Sequence, residues 1–232
     1  MSILPPILLW IRRDFRLSDH PALSAAVVTG RPIIPVFIRD PGVDALGAAP
    51  KWRLGLSLEK FSETLSSRGS ALVLRSGDAL ASLQALIEET GAVAVYWTRL
   101  YDPSAIVRDQ AVKQKLGFQG IEVRTFSGHL MFEPWDVETK TGGFYRVYSP
   151  MWRAVKDRNV PTPLAVPARM QAPLRWPASE QLDAWAMDSA MGRGAEVVRP
   201  YVRLGEKAAQ TRLAAFTDGA IASYAYQRNI PW

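Results

Sequence analysis

The densest group of ionisable side chains in this sequence is Arg12-Arg13-Asp14-Phe15-Arg16, which follows directly on the apolar run Ile7–Ile11. Guanidinium groups placed there could offer positive charge to an anionic or carbonyl-rich ligand. They could equally form a solvated turn with local ion pairs, worth only ~0 to 1 kcal/mol each. No G-x-G-x-x-G and no P-loop accompanies them, which counts against a dinucleotide or triphosphate site of the usual kind. The chain has 2 histidines and 0 cysteines, so thiolate metal sites, thiol nucleophiles, disulfides and multi-histidine metal centres are excluded. His20, beside Asp19 and Pro21, reads as a surface or capping residue; His129 has no acid or nucleophile at a suggestive spacing; Glu88 and Glu89 read as the solvated end of a helix. No catalytic residue and no metal ligand is assigned.

The elements that must position these side chains alternate in type. Ile7–Ile11 reads as a first buried strand, Ala22–Val28 as a short helix with Ser18 and Asp19 as caps and Pro21 in its first turn, and Pro32–Ile38 as a second strand made awkward by Pro35. From Lys51, the stripe Leu54, Leu58, Phe61 and Leu65 predicts a helix ending before Gly69. Ala71–Leu74, Val93–Trp97 and Gly120–Phe126 read as strands three to five. Between them fall a helix capped by Asp78, with Leu80, Leu83 and Ile87 on one face and Gly91 at its end, and a helix opened by Pro103. Roughly five strands separated by four helices is the pattern of a doubly wound α/β fold, a five-stranded parallel sheet of order 3-2-1-4-5 with helices on both faces. Ligands of such sheets bind at the carboxyl ends of the strands, here Arg12 to Arg16, Arg39 to Asp44, Arg75 to Gly77 and Thr98 to Asp102.

Past His129 the periodicity fails. Pro134, Pro150, Pro161, Pro163, Pro167, Pro173 and Pro177 punctuate a connector expected to hold no regular helix, although Tyr148, Trp152 and Trp176 suggest packing against something. A helical pattern returns near Glu206, where Ala209, Leu213 and Phe216 share a face, and Gly219 ends it. The 232 residues are 48% hydrophobic and 22% charged, with a net charge of +6, so a globular fold with a polyanionic partner is open to it. No stretch is long enough to span a bilayer and no signal peptide is visible, so a soluble, cytoplasmic protein is expected.

The run Leu9-Trp10-Ile11-Arg12-Arg13-Asp14-Phe15-Arg16-Leu17-Ser18-Asp19-His20-Pro21-Ala22-Leu23 resembles the opening of the DNA photolyase and cryptochrome family. Three further stretches match in order: Tyr96-Trp97-Thr98-Arg99-Leu100-Tyr101-Asp102-Pro103 with Arg108-Asp109; Gly142-Gly143-Phe144-Tyr145-Arg146-Val147-Tyr148-Ser149-Pro150-Met151-Trp152; and Gly205-Glu206-Lys207-Ala208-Ala209 with Arg212, Leu213 and Phe216.

The resemblance implies a light-driven electron transfer from reduced FAD to a pyrimidine dimer in DNA, with an antenna pigment gathering the light and the cofactor carrying the chemistry. It implies an antenna domain at 1–130, an interdomain linker at 131–203 and the incomplete start of a helical FAD-binding domain at 204–232, with Tyr224 and Arg228 as the part of the FAD site that is present. A chain of this kind is expected to be inactive alone and to self-associate through an exposed interdomain face. The resemblance places antenna-pocket candidates at Arg12, Arg13, Asp40, Lys51, Thr98, Tyr101 and Asp102. Leu46 stands where folate-binding members carry a histidine, and Ser104-Ala105 where they carry Asn-Glu, so the pigment is left open among methenyltetrahydrofolate, a deazaflavin and FMN. A cryptochrome-type blue-light photoreceptor is the alternative.

Overall fold

The computed structural model describes residues 4–230; residues 1–3 and 231–232, which the outer expected domain ranges include, lie outside the described residues. A parallel sheet of five strands, order β3-β2-β1-β4-β5, forms the centre: β1 Ile7–Ile11, β2 Ile33–Arg39, β3 Val73–Ser76, β4 Ala94–Thr98 and β5 Glu122–Phe126. Strands β1 and β4 are buried at every residue, which is why they read as unbroken apolar runs. They pair Ile7 with Ala94 and Trp10 with Trp97, so their carboxyl ends open side by side. The edge strand β5 carries Glu122 and Arg124, charges that discourage further pairing.

Alternation along the strands divides the core into two layers. Ile7, Leu9, Ile11, Phe37 and Tyr96 pack under α1 (Pro21–Val28) and α3 (Ala48–Ser66), where Leu58, Phe61 and Leu65 are buried. Leu8, Trp10, Val36, Val95 and Trp97 pack under α4 (Ala79–Thr90) and α5 (Pro103–Phe118), through Leu83, Leu86, Val112 and Leu116.

Several local expectations need correction. The cap of α1 is His20, whose Nδ1 accepts from the Leu23 N–H at 3.2 Å; Asp19 instead takes a positive φ of 45° in the turn before it. A short helix, α2 (Pro41–Asp44), precedes α3 because the Asp40 carboxylate accepts from the Val43 N–H at 3.0 Å, and α3 starts at Ala48, before Lys51. Strand β3 lies two residues later than expected. Pro35 is tolerated inside β2 because the Ile33 N–H, on the same strand side, goes to Gln171 O at 2.8 Å, and β3 begins pairing only at Val36. The Asp78 cap of α4 and the left-handed Gly91 after it are present as expected.

The connector contains helices, contrary to expectation: α6 (Tyr148–Val155) and α7 (Arg193–Val198). Pro150 does not break α6 because it lies in the first turn, where no N–H has a partner within the helix. Residues 164–187 run back over the α/β unit. Leu164 O accepts from the Asp19 N–H at 2.8 Å, the Glu180 N–H donates to Leu74 O at 3.0 Å, and Met170, Trp185 and Met187 join the core. At Gly55 a Cβ would lie 2.8 Å from Met187 Cβ, so glycine is what lets this strap approach α3. Trp176, one of the connector aromatics expected to pack against something, is half-buried against the second core layer. Beyond the strap lie α8 (Gly205–Asp218), which shows no buried residue, and α9 (Tyr224–Gln227). No described helix is long and apolar enough to cross a membrane.

Candidate functional site at the strand ends

Where β1 ends, Arg12 turns inward. Its guanidinium pairs with Asp109 on α5 and donates to Thr98 O at the end of β4. Asp109 also accepts from Arg108 at 2.8 Å, and Arg108 reaches Asp40 at the end of β2. The result is an alternating chain, Asp40–Arg108–Asp109–Arg12, of two cations and two anions. It lies on a pair of indoles: Trp10 and Trp97 meet edge to face at 5.4 Å, with the guanidinium carbons of Arg12 and Arg108 4.6 Å and 4.9 Å from the Trp10 ring centroid. Burial lowers the Arg12 pKa in spite of Asp109.

Asp14 turns the next corner. Its carboxylate accepts from the Arg12 N–H at 3.0 Å and lies 3.2 Å from His20 Nε2. Because His20 Nδ1 accepts the helix cap bond, its proton is on Nε2, facing Asp14. Burial alone would raise the Asp14 pKa; the facing His20 imidazole and the Arg12 N–H outweigh it and hold the carboxyl well below its usual range. Arg16 donates to Gly128 O at 2.6 Å, and a Cβ on Gly128 would stand 2.9 Å from the Thr98 methyl, so glycine closes this corner.

The exposed rim is a different population. Arg13 and Asp102 pair at 2.8 Å with side chains 61% and 45% exposed. The Tyr101 hydroxyl donates to Glu133, which Arg99 also holds at 2.9 Å, while the Arg99 guanidinium carbon lies 5.4 Å from the Trp135 ring centroid. Burial and then the Glu133 hydrogen bond raise the Tyr101 pKa. Lys51 donates to Asp44 O at 2.8 Å, beside α2. Of the expected pocket residues, Arg12, Thr98 and Asp40 thus meet in the buried network, Arg13 and Asp102 meet on its rim, and Tyr101 and Lys51 bond to other groups. Tyr224 packs edge to face on Phe216 at 5.7 Å, and its carbonyl accepts from the Arg228 N–H at 3.0 Å; no described contact joins this pair to the strand ends.

Sequence reasoning assigned no role to Arg108 and Asp109, whose signal is an adjacent opposite pair near the start of the helix that follows β4. It also missed Glu133, and Glu206, which accepts from the Leu17 and Ser18 N–H groups at 2.8 and 3.0 Å and ties α8 to the β1–α1 turn. A cavity of about 580 Å³ lined by Pro6, Pro32, Glu89 and Trp176 lies at the opposite, amino-terminal end of the sheet. No cluster of side chains suited to a metal ion occurs among the described residues.

The family model described as DNA photolyase matches residues 7–169. The chain belongs to the DNA photolyase family. It is 44% identical over 227 residues to a deoxyribodipyrimidine photo-lyase of Agrobacterium fabrum, covering 97% of this chain and 47% of that one, so it spans about half of that relative. It is 38% identical to cryptochrome-1 of Arabidopsis thaliana over 149 residues, 62% of this chain and 22% of the other. Among solved structures, a class III photolyase from Agrobacterium tumefaciens superimposes with a TM-score of 0.94 at 43% identity, across 100% of this chain and 48% of its own. The buried strand-end network therefore belongs to the α/β portion of a photolyase-family fold.

Proposed function

We propose that this chain supplies the α/β, pigment-bearing half of a light-driven enzyme that repairs pyrimidine dimers in DNA with FAD. The observation that carries the reading is family membership across residues 7–169. Higher identity over a longer span to photolyase than to cryptochrome favours repair over blue-light signalling, which stands as the second reading.

A bound flavin would supply the one-electron chemistry. The described residues do not cradle one: Tyr224 is 51% and Tyr226 84% exposed, and Arg228 is exposed beside them. The chain alone is expected to give no dimer turnover under light with added FAD.

The antenna role rests on the rim. Arg12, Asp40 and Thr98 are committed to the buried network, so their part is to hold the ends of β1, β2 and β4 in place. Arg13 and Asp102 remain accessible, in a pair of the exposed kind worth ~0 to 1 kcal/mol, so a pigment can take over either partner cheaply. The experiment is a fluorescence titration of methenyltetrahydrofolate, a deazaflavin and FMN against the chain, Arg13→Ala and a Lys115→Ala control in the last turn of α5. Binding weakened only in Arg13→Ala supports the rim. Equal binding by all three proteins, or none, removes the assignment.

A further inference from the structure

The cavity of about 580 Å³ at the amino-terminal end of the sheet takes no part in the strand-end network, and its volume is within the roughly 300–1,000 Å³ of ligand pockets. The strap forms one wall and is tied on both sides. The Ile33 N–H donates to Gln171 O at 2.8 Å, the Ala178 N–H to Glu89 at 2.7 Å and the Glu180 N–H to Leu74 O at 3.0 Å, which holds residues 173–178 against the starts of β1 and β2 and the end of α4. The site is preformed.

Its lining decides what can enter. Pro6, Pro32, Pro173 and Pro177 have no N–H to donate, and the carbonyls of Pro6 and Pro32 already accept from the Val93 and Ile7 N–H groups, at 3.1 and 2.9 Å. These walls offer apolar contact and little hydrogen bonding. With them lies the half-buried indole of Trp176, a flat surface whose N–H bonds to no described residue. Charge is uneven as well. Glu89 is neutralised by Arg75, whereas Arg175 has neither an ion pair nor a hydrogen bond among the described residues, so the lining carries one uncompensated cation and no free anion.

We propose that this cavity binds a planar aromatic carboxylate, its rings lying on Trp176 among the prolines and its carboxylate meeting Arg175. A flat ring gains from packing on an indole, and a guanidinium takes a carboxylate through charge-assisted, bidentate hydrogen bonds. An aromatic cation is disfavoured because Glu89 already holds Arg75 and the Ala178 N–H. A neutral ring leaves Arg175 unused. Such a ligand bridges the strap to the sheet in the folded chain alone, so its binding also stabilises the fold. The proposal needs neither a pigment nor a flavin.

The test titrates naphthoate, naphthalenemethanol, naphthylmethylammonium and cyclohexanecarboxylate into the whole chain by calorimetry and follows Tm. Naphthoate is expected to bind once per chain, roughly tenfold more tightly than the alcohol, and to raise Tm with concentration. The ammonium probe lacks the anion and cyclohexanecarboxylate lacks the flat rings, so both should bind more weakly. Arg175→Ala should remove the preference for naphthoate and leave the affinity of the alcohol unchanged. Leu174 stands on the rim with 82% exposure, so Leu174→Asp should melt like the parent yet weaken naphthoate by setting an anion beside Arg175. No binding, similar affinity for the four probes, naphthoate binding that Arg175→Ala leaves intact, or saturation only at many molecules per chain, an adventitious additive only, would each overturn the proposal. A Leu174→Asp variant that alters sedimentation of the chain without altering naphthoate affinity would overturn it too, because the rim would then be a contact between copies. The pigment titration reads Arg13 at the strand ends, so either reading can fail without the other.

Discussion

Arg12 and Arg13 are neighbours in sequence and opposites in physics. Arg12 is buried between Asp109 and Thr98, 4.6 Å from an indole centroid, whereas Arg13 is 61% exposed. Removing Arg12 leaves Asp109 facing Arg108 alone and strips a cation from Trp10, so Arg12→Ala is expected to cost about 3–5 kcal/mol, against at most about 1 kcal/mol for Arg13→Ala. Urea unfolding of the two variants measures the difference; similar midpoints would contradict the assignment. Asp14 gives a pH signature. Its folded pKa is depressed, so the unfolded chain binds its proton first as acid is added, and stability rises with pH across that interval. The contribution is in place above the ordinary carboxylate pKa of about 4 and is lost as the pH falls towards the folded value. Asp14→Asn should flatten this part of the stability profile, and an unchanged acid limb would count against it. The Arg12–Asp14 turn was legible in the sequence as a cluster of charge. Its partners were not, because Asp109 lies 97 positions from Arg12 and meets it only when β1 and β4 pair.

Among the elements, close approach decides more than propensity. A Cβ at Gly55 would fall 2.8 Å from Met187 Cβ, inside any real contact distance. Gly55→Ala should therefore destabilise the chain despite its gain in helix propensity, by about 1–3 kcal/mol as overpacking usually does. Met187→Ala leaves the same Cβ in place, so Gly55→Ala should cost nearly as much in that background, whereas in Met187→Gly, itself weakened by loss of the buried side chain, Gly55→Ala should cost little. Thermal melts of the parent, the three single variants and the two doubles check this, and a stabilised Gly55→Ala would refute the packing. The β-strands and the helices between them were legible because burial on both faces, or on one stripe, leaves periods of apolar residues that survive in sequence. The connector was harder to read. Pro150 signals a helix break when the helix start is unknown and a permitted first turn when it is known, and α6 is found only with that boundary in hand. Similarly, His20 displaced Ser18 and Asp19 as the α1 cap because the buried Asp14 beside it fixes its ring.

At the scale of the whole molecule, the connector is two things. Residues 164–187 bond to Asp19, Ile33 and Leu74 and place Met170, Trp185 and Met187 in the first core layer, whereas α8 shows no buried residue and touches the β1–α1 turn mainly through Glu206. Each of those three apolar side chains contributes about 1.5–3 kcal/mol when fully buried, so the strap is an integral layer of the α/β unit. A version cut after residue 190 should keep the cooperative urea transition of the full chain, because it retains the sheet, both core layers and the strap. A version cut after residue 160 should lose it, because Phe37 then lacks Trp185, whose ring centroid lies 6.1 Å from its own, and the Ile33 N–H loses its acceptor. Limited proteolysis of the full chain tests the same point without truncation: early cuts are expected in exposed 139–147 and near 201–204, ahead of 168–187, whose side chains are mostly exposed but whose backbone is tied to the sheet through Gln171 O and the Glu180 N–H. Early cleavage inside 168–187, or equal stability of the two shortened versions, would show that the sheet and its helices hold together without the strap.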